Sequence, residues 1–256
     1  MRWIARNKLR TQLMAGTFLN LGSAASVEIA ADTGFDWLLI DLEHGSGSEA
    51  DLRNMLLACR GSSAAPIVRI RSVAPDTVKF VMDSGAAGVM FPYVSTVEQA
   101  QQAVSCIKYP PRGYRGVAGA IRATGFGRDW KQYFAEANDN SLVVVQIETP
   151  EAVDASADIA AIDGVDVLFV GPLDLSVNLG CPGDFTQPRF VDALKKVVES
   201  CNDHGKTPGI LTKSGFEQQH RDLGFRFTAV GSDCTAVAES MLTNLVTLRQ
   251  TADKPH

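Results

Sequence analysis

Apolar residues gather in eight short runs, at positions 14–20, 37–41, 66–70, 88–92, 142–147, 167–170, 207–211 and 227–230, with turn signals between them. None alternates apolar with polar positions as a half-wet sheet would, so they read as parallel strands buried on both faces. Helical stripes lie between them. Ser48 caps a helix with Leu52, Met55, Leu56 and Cys59 on one face, ended by Gly61. Pro75 suits a first helical turn before Val78, Val81 and Met82. Ser95-Thr96-Val97-Glu98 has capping-box spacing, and Ala100, Val104 and Ile107 continue that stripe. Phe190, Leu194, Val197, Val198 and Cys201 form another, and Val237, Met241, Leu242, Leu245 and Leu248 the last.

Eight strands, each followed by a helix or a gap long enough for one, predict a single (β/α)8 TIM barrel over residues 1–256. The length of 256 residues suits that fold. A doubly wound open sheet is the alternative. Its first loop would be Leu21-Gly22-Ser23-Ala24-Ala25, which has neither dinucleotide nor Walker spacing. The stretch from Tyr109 to Asn140 is expected to be a long connection, functional, interfacial or merely solvated.

Composition narrows the class. Hydrophobic residues at 45% and charged residues at 21% describe an ordinary globular chain. A net charge of −5 argues against a nucleic-acid partner. No apolar run is long enough to span a bilayer. The basic start, MRWIARNKLRTQL, has no secretory core and reads as a short helix leading into the fold rather than a transit peptide. Five scattered cysteines without a CxxC pair suit a reducing cytoplasm, not a disulfide framework or a cysteine-rich zinc site.

In such a barrel the C-terminal ends of all the strands open on one face. There the sequence places Asp41-Leu42-Glu43-His44, Arg69, Gln146-Ile147-Glu148 and Gly171-Pro172-Leu173-Asp174. Glu148 and Asp174 suit two oxygen ligands of Mg²⁺ or Mn²⁺. Equally, Glu148 can cap the next helix and Asp174 hold a turn. His44, three residues after Asp41, is a candidate general base oriented by that acid, or a histidine satisfied by a backbone carbonyl. Arg69 demands an anion, either a substrate carboxylate or Asp41 or Glu43. A Schiff-base enzyme would need a strand lysine, and Lys213 after the seventh strand is the one candidate.

These motifs, with Gly34-Phe35-Asp36-Trp37 and the Pro-Pro-Arg-Gly-Tyr-Arg-Gly stretch at 110–116, resemble the HpcH/HpaI family of class II pyruvate aldolases over roughly residues 15–241. The resemblance implies a metal-dependent barrel. It would cleave 2-keto-3-deoxy or 4-hydroxy-2-oxo acids to pyruvate and an aldehyde, through a pyruvate enolate stabilised by Mg²⁺, Mn²⁺ or Co²⁺. It implies Glu148 and Asp174 as metal ligands, His44 as base, Arg69 as enolate stabiliser, and Gln146 and the Leu173 backbone as pyruvate contacts. It also implies a homohexamer in which Asp83 reaches the histidine of a neighbouring subunit, with the last helices at the interface. Leu42 and Leu173 depart from the smaller or polar residues common in relatives, and the bulk of Leu173 is expected to alter acceptor choice. Two alternatives keep the scaffold: a malyl- or citramalyl-CoA lyase, for which no adenosine-diphosphate pocket is evident, and a non-catalytic keto-acid-binding barrel.

Overall fold

The computed structural model describes residues 3–252. Met1, Arg2 and residues 253–256, part of the expected 1–256 domain, lie outside the described residues. Eight parallel strands close into a barrel in chain order: β1 (Met14–Leu19), β2 (Trp37–Asp41), β3 (Ala65–Arg69), β4 (Gly88–Phe91), β5 (Leu142–Ile147), β6 (Val167–Val170), β7 (Thr207–Thr212) and β8 (Phe227–Ser232). Closure comes from β1 pairing with β8, Met14 beside Phe227, which excludes the open doubly wound sheet. The basic helix α1 (Arg6–Thr11) precedes β1. Around the barrel run α2 (Ala24–Thr33), α3 (Glu49–Ala58), α4 (Pro75–Asp83), α5 (Val97–Ile107), α6 (Trp130–Asn140), α7 (Pro150–Asp154), α8 (Ser156–Ala161), α9 (Pro172–Asn178), α10 (Pro188–Asp203), α11 (Glu217–Leu223) and α12 (Asp233–Ala252).

Strand side chains alternate between two apolar cores. Leu38, Ile40, Val68, Val143, Val145, Leu168 and Val170 point outward to the helices, where they meet Val27, Leu52, Val81 and Leu194. Trp37, Leu39, Ile67, Val144, Phe169 and Phe227 fill the barrel interior, and Leu9 of α1 joins them. The Trp37 indole stacks on Phe227 with centroids 4.0 Å apart, and Phe169 meets it edge-on. A Cβ at position 16 would overlap that indole, so glycine is the residue that leaves room for it. Burial of each large aliphatic here stabilises by about 1.5–3 kcal/mol. The interior is therefore a packed plug and not a pore.

Some boundaries differ from expectation. The cap of α5 is Thr96 and not Ser95. Thr96 Oγ1 accepts from the Gln99 amide at 3.3 Å, and Gln99 Oε1 accepts from the Thr96 and Ser95 amides, so Gln99 does the work expected of Glu98. The stretch from Tyr109 to Asn140 is no bare loop, since it contains a single 3-10 turn at Arg122–Thr124 and α6. The stripe on α12 is largely exposed among the described residues. Met241 is 68% exposed, and Leu242, Leu245 and Leu248 are exposed with it. Among the described residues no helix is long and apolar enough to cross a membrane.

Candidate active site

The inward alternation of the plug carries the chemistry to the mouth. Two residues beyond Leu39 comes Asp41, two beyond Ile67 comes Arg69, and two beyond Val144 comes Gln146, followed by Glu148 at the next inward position. Two beyond Phe169 comes Gly171, with no side chain at all. A Cβ there would strike the Glu148 carboxylate, so this glycine makes the space that the acid occupies. The cavity above the plug measures about 570 Å³, and Arg69, Gln146, Glu148, Leu173, Asp174 and His44 all line it.

Arg69 is held from several sides. Its Nε donates to Asp41 Oδ1 at 2.9 Å and Nη2 to Asp41 Oδ2 at 2.7 Å, a bidentate pair on a carboxylate without solvent exposure. Nη1 lies 3.2 Å from Glu43 Oε2 and 3.5 Å from Gln146 Oε1. Both acids weighed as Arg69 partners from the sequence are thus its partners. Asp41 further accepts from Asn20 Nδ2 at 2.6 Å and from the Glu43 and His44 amides at 3.0 and 3.3 Å. Burial pushes the Glu43 carboxyl up, and the neighbouring Arg69 partly offsets this.

Gln146 hands the chain on, its Nε2 donating to Glu148 Oε1 at 2.7 Å. Glu148 is only 2% exposed. Its other oxygen accepts from the Tyr93 amide at 3.2 Å. Burial, and then the negative charge of Asp174, push the Glu148 carboxyl up to about 7. Asp174 lies in the first turn of α9 and accepts from the Tyr93 hydroxyl at 3.3 Å. Tyr93 therefore touches both acids, from a left-handed backbone with φ of 50°. Sequence reasoning missed it, although it follows the end of β4 on the same rim. Asn20, after β1, was missed in the same way.

One expectation needs correction, and the structure also places two other candidates. Asp41 does not reach the His44 ring. It fixes the backbone of the turn instead, and the imidazole, 68% exposed, has Nε2 3.9 Å from Glu43. Asp83, expected to serve a neighbouring subunit, lies at the end of α4 and pairs with Arg115 Nη2 at 2.7 Å. Lys213, the one candidate for Schiff-base chemistry, lines the cavity from the loop after β7 and is exposed.

A profile of the HpcH/HpaI aldolase/citrate lyase family matches residues 14–240. The chain belongs to that family. Among curated HpcH/HpaI relatives, the 5-keto-4-deoxy-D-glucarate aldolase of Klebsiella pneumoniae subsp. pneumoniae is 39% identical over 223 residues, 87% of each chain. Among solved structures, an HpcH/HpaI aldolase/citrate lyase family protein of Burkholderia cenocepacia J2315 superposes with a TM-score of 0.90 at 35% identity, covering 95% of this chain and 98% of that one. The HpcH/HpaI aldolase of Desulfitobacterium hafniense DCB-2 has a TM-score of 0.90 at 28% identity, covering 99% and 98%.

The HpcH/HpaI family is metal-dependent. The donor set fits a hard divalent cation. Two carboxylates stand close enough to repel, one of them buried, and a cation between them would reverse the cost of keeping Glu148 charged. Among the described residues no group of three or more His, Cys, Asp or Glu is placed to hold a metal, so water and substrate would complete the shell.

Proposed function

We propose that this protein is a metal-dependent aldolase that reversibly cleaves 4-hydroxy-2-oxo acids of the 2-keto-3-deoxy type to pyruvate and an aldehyde. Its curated relatives are aldolases, which are carbon–carbon lyases. The observation that carries the reading is the continuous polar chain from Asp41 through Arg69 and Gln146 to Glu148, ending beside Asp174 in one cavity. Glu148 and Asp174 would hold Mg²⁺, Mn²⁺ or Co²⁺. Such an ion supplies positive charge where the C2 oxygen turns negative.

In this reading His44 takes the proton of the C4 hydroxyl, and Glu43 beside it stabilises the resulting imidazolium. The C3–C4 bond breaks, C4 becomes the aldehyde carbonyl, and the bonding pair moves through C3 to the C2 oxygen. Arg69 stabilises that oxygen through Nη1, its least tightly held nitrogen. A proton then returns to C3 to give pyruvate. Asp41 positions Arg69 and the His44 turn. Gln146 and the Leu173 backbone contact pyruvate, and the exposed Leu173 side chain crowds the acceptor side.

The wider assignment is one barrel domain over residues 1–256 in a cytoplasmic homohexamer. The uncovered apolar residues of α12 support association with further copies, and five free cysteines suit a reducing compartment. Asp83 would serve the His44 of a neighbour. Light scattering should give several chain masses, and a monomer at micromolar concentration would refute the assembly.

Pyruvate release from a 4-hydroxy-2-oxo acid tests the activity. EDTA should abolish it and added Mg²⁺, Mn²⁺ or Co²⁺ restore it. Activity that survives EDTA, with a pyruvate adduct trapped by borohydride, would refute the metal mechanism. A CoA-thioester lyase or a binding protein would release no pyruvate from the free acid.

A further inference from the structure

The mouth has two sides. The groups assigned to the pyruvate half come from the ends of β2, β3, β5 and β6. The opposite wall is built from the ends of β7, β8 and β1, with Leu211, Thr212, Lys213, Val230, Ser232 and Asn20 lining the same 570 Å³ cavity. Pyruvate alone does not fill that space, so this wall faces whatever is bonded to C4.

Its charges are unequal in availability. Among the described residues, the arginine and lysine side chains lining the cavity are Arg69 and Lys213. Arg69 is committed to Asp41 and Glu43. Among the described residues no carboxylate lies within 4.0 Å of the Lys213 ammonium. Glu217 and Glu239 also line the cavity. Glu217 accepts from the Gly215 amide at 2.9 Å, which ties it to the turn. Glu239 belongs to α12. The backbone that carries Lys213 is fixed: its carbonyl accepts from the Phe216 amide at 3.1 Å, and the adjacent Thr212 hydroxyl bonds to His220 Nδ1 at 3.1 Å.

We propose that Lys213 is the specificity-determining residue of the acceptor side, pairing with a terminal carboxylate on the aldehyde portion and so selecting dicarboxylic keto acids. This rests on the aldolase reading above. It agrees with the name of the curated relatives' substrate, since a glucarate carries a carboxylate at each end. One carboxylate belongs to the 2-oxo acid that becomes pyruvate, and the other leaves with the aldehyde. An ammonium on a fixed turn binds such a group as a point charge.

The test uses the full chain loaded with Mn²⁺, with pyruvate and either of two four-carbon acceptors, succinic semialdehyde or butanal. Lys213→Gln should raise KM for succinic semialdehyde about tenfold, leave kcat/KM for butanal within about twofold, and lose the salt sensitivity of the acidic acceptor. Lys213→Arg should recover most of the effect. Exchange of the pyruvate methyl protons with D₂O, followed by NMR without any aldehyde, reports the pyruvate half separately and should not change. Equal losses with both aldehydes, or no loss with either, would overturn the assignment while leaving the aldolase reading intact. Absence of exchange in the wild-type protein would remove the aldolase reading and this proposal together.

Discussion

Replacing Arg69 with alanine separates a structural from a catalytic role, because the geometry gives it the first and the proposed mechanism the second. The change deletes two short bonds to Asp41 and the contact at 3.2 Å to Glu43. Removing one partner of a buried pair costs about 3–5 kcal/mol. Asp41 keeps three neutral donors, from Asn20, Glu43 and His44, which places the cost near the low end, about 3 kcal/mol. In a domain of this size that lowers Tm by about 6–12 °C, and the protein stays folded at 25 °C. In the proposed mechanism Nη1 meets an oxygen that becomes negative only as the C3–C4 bond breaks, so its loss should fall on kcat by about 10²–10³-fold. Arg69→Lys keeps one bond to Asp41 and should regain part of the Tm but little kcat, because an ammonium lacks the planar fork. Calorimetry and pyruvate-release kinetics on both variants, with metal content measured, decide the matter. A folded, metal-loaded Arg69→Ala protein with wild-type kcat refutes the catalytic role, and an unchanged Tm refutes the ion-pair reasoning.

Glu148→Gln keeps the shape but not the charge. Calorimetric titration should show Mn²⁺ affinity at least about tenfold weaker, whereas Tm in EDTA holds or rises because a buried repulsion is gone. Gly171→Ala places a methyl on the Glu148 carboxylate and should lower metal affinity without touching a ligand; unchanged affinity would contradict the close approach. His220 is buried against Thr212, Phe216 and Phe225. Burial pulls its pKa down to about 4, with Glu217 opposing. Its neutral form therefore contributes stability that is whole above about pH 6.5 and drains away as pH falls towards 4, at most about 3 kcal/mol and less after solvent screening. Urea midpoints of His220→Phe should flatten over that interval relative to wild type.

The strands were legible because burial on both faces writes unbroken apolar runs, and the polar residues ending those runs mark the mouth. Asp41, Arg69, Gln146 and Glu148 were found for that reason. Tyr93 was not, because it lies past a proline and gains meaning only when β4 stands beside β5. Direction was also hidden. Nothing in Asp41-Leu42-Glu43-His44 says that the aspartate takes backbone amides and leaves the imidazole exposed. The Asp83–Arg115 pair joins residues 32 positions apart through a segment that pattern reading left as a connection. The apolar stripe of α12 was plain, but a stripe does not name the surface that covers it.

The aromatic plug of Trp37, Phe169 and Phe227 gives the barrel a floor, and a floor gives the reaction an order. Substrate and products share one doorway. In the proposed reaction the keto-acid end rests by the buried Glu148 and Gln146, and the aldehyde portion faces the more exposed wall of β7, β8 and β1, nearer the exit. Cleavage would then release the aldehyde first and pyruvate last, and synthesis would load pyruvate before its acceptor. Pyruvate should accordingly inhibit cleavage competitively against the keto acid, with the aldehyde noncompetitive. A barrel solved for packing density thus doubles as a queue.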